Sequence, residues 1–508
     1  MKRINVPPSE HLKRLDSFLT ENGYLISMPC GGTGRCGKCK VTVVSGQFLS
    51  SENPAETLTP DFSGKIPACR ALCPQNGGVI EIEELLGEGL NVTQNQNQTA
   101  GFPDGACLVF SLDIGTTTLA MRLTDTKSGK CIAHTSSLNP QQSFGADVVT
   151  RIEACREGKT GQMQKIVADE INRMTAKITP SGTDSRTIPL AVAGNTTMLH
   201  IFTGVSPAGM AAFPFTPEFL ESRSFSGADI GLNVGTVTLL PSCSAFIGAD
   251  ITAGIFFSGM AEDYKNKTAV NSLLIDIGTN GEIVLLTGGR LYAASAAAGP
   301  AMEGGNISCG VGGIDGAVNS VRVKDSKLYF TTVGDKAPVG ICSSGLVDLI
   351  SCLLDEEILD ESGRLGADVF PLTGYHEKDG KTVFTESSVG INGKDIREFQ
   401  LAKSAIRAGV ETLLHQTGLE EKDISKVYLA GGLGYYLNID SAIRVGLVPS
   451  SFKNVTEVIG NSAIGGADMI LKDGGLLTEA EQLTKSVQVI DLNTVVYFSE
   501  QFVENMFF

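Results

Sequence analysis

The chain has 508 residues, too many for one compact core, so two to four domains are expected. Hydrophobic residues make up 42%, charged residues 19% and the mean hydropathy is +0.09, which describes an ordered globular chain and excludes a disordered one. A net charge of −16 and an isoelectric point near 4.9 repel phosphate backbones, and with 6% aromatics and no Trp there is little surface for base stacking, so nucleic acid is not an expected partner.

The opening "MKRINVPPSEHLKR" lacks the apolar core of a signal peptide, and no charge-free apolar run of ~20 residues occurs. A cytoplasmic protein without a membrane segment is expected. Twelve cysteines in that compartment point to metal or redox chemistry more than to disulfides.

In chain order, residues 1–86 form the first predicted unit. Ser9 is placed to cap a helix whose apolar face is Leu12, Leu15, Phe18 and Leu19. "MPCGGTGRCGKCKVTVVSG" (Met28 to Gly46) then sets Cys30, Cys36 and Cys39 at C-x5-C-x2-C spacing, running into an alternating strand. A second strand, "GGVIEIEE", follows at Gly77 to Glu84, so the unit reads as a small α+β sheet domain.

A plant-type 2Fe–2S cluster takes three thiolates from one loop and a fourth from elsewhere. Cys69, which follows Cys39 after 29 intervening residues, is the natural fourth ligand and Cys73 its rival. Glycines 31, 32, 34 and 37 let backbone amides approach the sulfides. A zinc knuckle is the alternative, but zinc sites usually pair two C-x2-C units and only one is present. Cys107, Cys131, Cys155, Cys243, Cys309, Cys342 and Cys352 form no ligand-spaced set and read as small buried hydrophobes.

Residues 87–106, with "LNVTQNQNQTAGFPD" at Leu90 to Asp104, are polar, rich in Asn and Gln, and aperiodic, which reads as a flexible linker. From 107 to 508 a theme repeats. "LVFSLDIGTTTLAMRLTD" (Leu108 to Asp125) and "SLLIDIGTNGEIVLLTGG" (Ser272 to Gly289) are each strand, Asp-Ile-Gly-Thr turn, strand. "LAVAGNTTMLHIF" (Leu190 to Phe202) and "VYLAGGLGYYLNI" (Val427 to Ile439) are each strand, glycine turn, helix start. Two α/β lobes from one duplicated plan are predicted, about 107–268 and 269–508.

An Asp-x-Gly-Thr hairpin suits phosphate. Gly115 and Gly278 permit the turn, while amides and hydroxyls of Thr116, Thr117, Thr118, Thr279 and Asn280 can donate to phosphate oxygens. Asp113 and Asp276 end their strands where they could hold a hydrated Mg2+. Two such hairpins followed by "AGGLG" (Ala430 to Gly434) resemble the acetate and sugar kinase/Hsc70/actin superfamily, which grips ATP between two lobes. That resemblance implies that Gly431, Gly432 and Gly434 lie near adenosine. Asn195 in "GNTTM" and Asp250 in "FIGADITAGI" are candidates to orient the attacking water, with a plain helix cap as the alternative for each. Glu303, in "AGPAMEGGNISCG", reads either as a nucleotide contact or as a residue of an ordinary loop. The five scattered His residues pair with no nucleophile, so no hydrolase triad is expected.

The whole set resembles the ATP-dependent reductive activators of corrinoid proteins. It includes "CGGTGRCGKCKV", "LDIGTTTLA", "NPQQSFGADVVTRI" (Asn139 to Ile152), "AGNTTMLH", "IDIGTNGEI", "GPAMEGGNISCG" and the closing "FVENMFF". The linker runs almost directly into the first hairpin, as in the shorter branch associated with demethylase systems. The expected fold is an α+β ferredoxin-like (β-grasp) N-terminal domain followed by a two-lobed α/β actin-like ATPase domain. The resemblance implies one-electron reduction of Co(II) to Co(I) in a corrinoid protein of a methyltransferase or O-demethylase system, with a 2Fe–2S cluster, ATP and Mg2+. Its electron donor would be a ferredoxin or flavodoxin, and a homodimer is implied. Three other readings are an ATP-driven electron donor to another enzyme such as a radical dehydratase, a small-molecule kinase with a redox-sensing cluster, and a nonenzymatic electron carrier.

Overall fold

The computed structural model describes residues 2–8, 13–22, 24, 26, 28, 32, 34, 39–82, 107–366, 375–378, 381–384, 389–432 and 437–508. Ser9, Leu12, Cys30, Cys36, Gly31, Gly37, the predicted linker 87–106 and Gly434 lie outside the described residues.

The N-terminal unit comprises β1 (Lys2–Val6), α1 (Leu15–Glu21), β2 (Lys40–Ser45), β3 (Lys65–Pro67) and β4 (Gly78–Ile82). The strands form an antiparallel sheet in the order β1–β4–β2–β3. Alternation supplies the buried face: Ile4 and Val6, Val41, Ile66, Ile80 and Ile82 pack with Leu15 and Leu19 of α1. The helix starts after Arg14, later than the sequence predicts from Ser9. Arg14 is extended and bridged to Leu72, and a residue paired in that way cannot take helical angles.

The first lobe contains β5 (Leu108–Ile114), β6 (Thr118–Asp125), β7 (Cys131–Leu138), α2 (Val148–Arg156), α3 (Thr160–Ile178), β8 (Leu190–Gly194), α4 (Thr196–Phe202), β9 (Arg223–Ser226), β10 (Thr236–Leu239) and α5 (Ala249–Phe257). The second contains β11 (Ser272–Ile277), β12 (Gly281–Thr287), β13 (Arg290–Ala296), α6 (Ser343–Asp355), α7 (Gly393–Thr417), β14 (Lys426–Gly431), β15 (Thr456–Gly460), α8 (Ser462–Lys472), α9 (Gly474–Thr484) and β16 (Gln488–Val489).

Their sheets run β9–β10–β8–β5–β6–β7 and β15–β14–β11–β12–β13–β16. In each, the first strand pairs antiparallel with its hairpin partner on one side and parallel with the strand of the glycine turn on the other. The duplicated plan is therefore visible as topology. Both faces of the second sheet are covered: Leu273, Ile275 and Ile277 pack with Phe399 and Ile406 of α7, while Leu274 packs towards the first lobe.

Helices α5 and α8 join the lobes. Although α8 and α9 follow the second sheet in sequence, Ala463, Ala467, Ile470, Ala480 and Leu483 share one core with Phe110, Leu112 and Met121 of the first lobe. The helices cross almost backbone to backbone, because a Cβ at Gly466 would lie 2.0 Å from the Ala253 carbonyl oxygen. Asp468, only 3% exposed, pins α8 to β6 by ion pairing with Arg122 at 2.8 Å, and Lys472 holds the same carboxylate at 2.8 Å.

This close crossing predicts that Gly466→Ala forces the helices apart and lowers stability by ~1–3 kcal/mol. Gly161→Ala in α3, where an added Cβ meets nothing within 4 Å, should leave stability unchanged or slightly higher. Thermal melts of the two variants side by side decide it; superimposable melts would disprove the tight crossing.

Candidate functional site

A cleft opens between the lobes. Its walls gather the motifs read from the sequence: Asp113, Gly115 and Thr116 from the first hairpin, and Asp276, Gly278, Thr279 and Asn280 from the second. Asn195, Asp250, Glu303, Gly431 and Gly432 complete that set. Thr118 is not on the wall; it starts β6, and its carbonyl closes the turn by accepting from Gly115 N–H at 3.0 Å. Gly278 and Asn280 close the second turn in the same way, at 3.0 Å.

Thr117 reaches the centre through a bond. Its hydroxyl donates to Glu303 Oε2 at 2.6 Å, and the hydroxyl of Thr279 donates to the same oxygen at 2.5 Å. Donors from both lobes thus converge on one anionic oxygen, the geometry a phosphate oxygen would also satisfy. Glu303 belongs to the short turn Pro300–Glu303, so the structure places it at the cleft and not on a remote loop.

Asn195 is a helix cap that also stands on the cleft wall. Its side chain caps α4 by accepting from Met198 N–H at 2.9 Å, and it donates to Thr116 Oγ1 at 3.1 Å. Asp250 is not the cap of α5, a position taken by Gly248; it accepts from Ile251 N–H at 2.9 Å and faces the cleft. Gly431 is required as glycine, since its φ is +101° and a Cβ would stand 2.3 Å from the Ile277 carbonyl oxygen.

Sequence reasoning missed Glu282, Asn461 and Ser462. Glu282 sits directly opposite Asp276 across the second hairpin, a partner that could be found by counting back from the turn. Asn461 caps α8, accepting from Ile464 N–H at 2.9 Å, and donates to Asp113 Oδ2 at 2.8 Å. Its signal was a Gly460-Asn461-Ser462 run matching Gly194-Asn195-Thr196.

These carboxylates are enclosed by protein on every side but the cleft. Desolvation raises Asp113 to about 7, opposed by the Asn461 bond and helped by the Asp250 and Glu303 charges. Asp276 rises to about 8, first by desolvation and then by repulsion from Asp250, Asp113 and Glu303. Asp250 rises to about 6 by desolvation, and Glu282 is pushed well above its ordinary value for the same reason. No Lys or Arg lines the cleft among the described residues, so the charge fits an added cation. No group of three or more His, Cys, Asp or Glu among the described residues could hold a metal by itself.

In the N-terminal unit, Cys39 and Cys69 are buried with their sulfurs 3.2 Å apart. That is far beyond a disulfide of about 2.05 Å, and it brings the two sulfurs to one place in the core. Cys73 is buried elsewhere in this core, its thiol pushed up to about 11 by burial. The glycines of the loop admit arginines. Arg14 Nη2 donates to the Gly32 carbonyl at 2.8 Å, and a Cβ at Gly32 would lie 2.8 Å from that nitrogen; one at Gly34 would lie 2.7 Å from Arg70 Nε.

The profile of a 2Fe–2S iron–sulfur cluster binding domain matches residues 2–73, the RACo middle region matches 108–263, and the C-terminal domain of RACo, the ASKHA domain, matches 270–508. Two RACo family regions are thus matched side by side in this chain, across 108–263 and 270–508. Among relatives of the chain, the corrinoid activation enzyme RamQ of Eubacterium limosum is 28% identical over 96% of this chain and 94% of its own length. The [Co(II) methylated amine-specific corrinoid protein] reductase of Methanosarcina barkeri is 23% identical over 74% of this chain and 72% of its own. The solved structure of a reductive activator for corrinoid, iron–sulfur protein superposes with a TM-score of 0.74 at 28% identity, covering 97% of this chain and 95% of the other. A ferredoxin-type domain followed by an actin-like ATPase domain is thus the fold. What the RACo profiles call the middle region is here the first lobe. No helix among the described residues is long and apolar enough to cross a membrane.

Two predictions follow from the charges and the sulfurs. An acid whose folded pKa is raised binds more protons folded than unfolded. The stability it adds is therefore complete below about pH 4 and lost as pH rises through the folded values of about 6 to 8. Without ligands the protein should melt at lower temperature at about pH 8 than at about pH 5, and Asp276→Asn should flatten that slope. The second concerns the fourth cysteine: Cys69→Ser should abolish the visible absorption of a reconstituted 2Fe–2S cluster and Cys73→Ser should retain it. The reverse pattern would move the ligand to Cys73.

Proposed function

We propose that this protein restores a corrinoid protein from Co(II) to Co(I), passing one electron from its 2Fe–2S cluster while it binds and hydrolyses ATP. The observation that carries the reading is the convergence of Thr117 and Thr279, one from each lobe, on a single anionic oxygen. It supports a polyphosphate held between the lobes, and the pairing with a cluster domain supports electron transfer as the purpose.

In this reading the unit 1–86 carries the cluster on Cys30, Cys36, Cys39 and Cys69, and 87–106 tethers it to the ATPase 107–508. When bound, the cluster supplies electrons one at a time. Thr116, Thr117, Thr279 and Asn280 donate to phosphate oxygens, and Gly431, Gly432 and Gly434 leave room for adenosine. Asp113 and Asp276 hold Mg2+ with its waters, and Asn461 keeps Asp113 oriented. Asn195 and Asp250 position the water that attacks the terminal phosphate. Glu303 gives up its bridging bonds to the incoming phosphate.

Coupling is needed because the transfer runs uphill. A plant-type cluster works near about −400 mV, and each ~59 mV below that costs about 1.4 kcal/mol for one electron. Lobe closure on ATP is a two-state element that can favour the complex in which Co(I) is formed and released. The electron donor in this reading is a low-potential ferredoxin or flavodoxin, the working assembly a homodimer and the compartment the cytoplasm.

The test uses anaerobic, pre-reduced protein and a Co(II) corrinoid protein, following Co(I) by its visible band. Co(I) should appear with Mg-ATP, and Asp276→Ala should reduce its rate by at least about 100-fold. ATP consumed with no change at cobalt would remove the corrinoid reading and favour a small-molecule kinase.

A further inference from the structure

We infer that Arg151, together with Asn139 and Gln142, is a positioning brace that sets the first phosphate hairpin for the polyphosphate tail of its nucleotide. The inference rests on the reading of the cleft as an ATP site and adds residues that do not touch it.

Three side chains of the Asn139 to Arg151 stretch take carbonyl oxygens of three consecutive hairpin residues. Asn139 Nδ2 donates to Gly115 O at 2.8 Å, Arg151 Nη2 to Thr116 O at 2.6 Å and Gln142 Nε2 to Thr117 O at 3.0 Å. The backbone N–H of Asn139 adds a second bond to Thr117 O at 2.8 Å. None of the three side chains lines the cleft, so they grip the hairpin from behind. In a trans peptide the N–H points opposite to the carbonyl. Drawing the Gly115 and Thr116 carbonyls backwards therefore turns the N–H groups of Thr116 and Thr117 towards the cleft.

Arg151 is an expensive way to hold a loop. It is 0% exposed, and its other bonds go to neutral acceptors: Gly145 O at 2.9 Å, Met198 Sδ at 3.1 Å and Gln141 Oε1 at 3.5 Å. Among the described residues no carboxylate forms an ion pair with it. Burial lowers its pKa to about 9, opposed by the charges of Asp147 and Glu303, so it stays charged at neutral pH. A buried cation with no directly bonded carboxylate is costly, and a use for its charge at the neighbouring cleft offsets that cost. The cleft supplies that use. Its walls are rich in carboxylates and hold no Lys or Arg among the described residues, so a polyphosphate needs positive charge from elsewhere. Arg151 places that charge directly behind the Thr116 peptide, polarising the amides that face the phosphates.

The experiment measures binding of ATP and AMP to the full-length protein by calorimetry, with thermal melts, for wild type, Arg151→Met, Arg151→Lys and Gln142→Ala. Arg151→Met should weaken ATP by roughly 10-fold or more and AMP by less than about 2-fold, because only the polyphosphate tail reaches the hairpin. Arg151→Lys keeps the charge without the fork and should fall between wild type and Arg151→Met. Gln142→Ala, at a partly exposed position, should show a smaller loss with the same preference for ATP. Equal losses for ATP and AMP would reduce the brace to scaffolding, and undiminished ATP binding by folded Arg151→Met would overturn it. If Arg151→Met does not fold, Gln142→Ala and Arg151→Lys decide by the same criteria. Wild type that binds no ATP would instead strike the reading of the cleft itself.

Discussion

Like charges crowded into one cleft are the constraint around which the rest of the ATPase is arranged. Asp113 and Asp276 end the first strands of two equivalent sheets, so duplication of the lobe brings one carboxylate from each to the same gap. Glu282 is added by hairpin register and Asp250 by the first turn of α5. Burial disfavours every one of these charges, and Asp250 raises the other three. A site of this kind is poorly balanced alone and well balanced around a cation and its phosphates. Nucleotide binding is then a matter of electrostatic completion as much as of shape.

The elements around the cleft divide the work between front and back. In front, threonine hydroxyls and hairpin amides offer donors where phosphate oxygens would lie. Behind, Asn139, Gln142 and Arg151 fix the direction in which those amides point. Helix caps serve twice, since Asn195 and Asn461 each terminate a helix and reach a cleft residue with the same side chain. Such economy ties local stability to the site: a change at either cap disturbs both.

The same ties carry motion. Helix α8 begins at the cleft with Asn461 and Ser462, crosses α5 at glycine distance, and ends in the Asp468 ion pairs to the first lobe. A shift between lobes would therefore carry Asn461 and Asp113 together and move both relative to Asp276 across the cleft, which couples occupancy of the cleft to lobe geometry. The N-terminal unit stands apart as a core of its own, in which Cys39 and Cys69 meet over a glycine loop held by Arg14.

Much of this was legible in the residue order. Local rules suffice for the Asp-Ile-Gly-Thr hairpins, the glycine turns, the period-two strands and the C-x5-C-x2-C loop, because turn chemistry and alternation act over a few residues. The internal repeat then determined that two lobes would face each other, and so that Asp113 and Asp276 would meet. Contacts between distant segments were not legible in that way. Asn461 lies 348 positions from Asp113, and Asp468 lies 346 from Arg122, spans over which no periodicity speaks. Nor does sequence show that α8 leaves its own lobe to pack in the other, or that Arg151 is buried with only neutral groups as direct partners. The sequence by itself determined the motifs and their chemistry. Only the tertiary structure decided which side chains stand behind them, because burial and hydrogen-bond partners are set by packing across the whole chain.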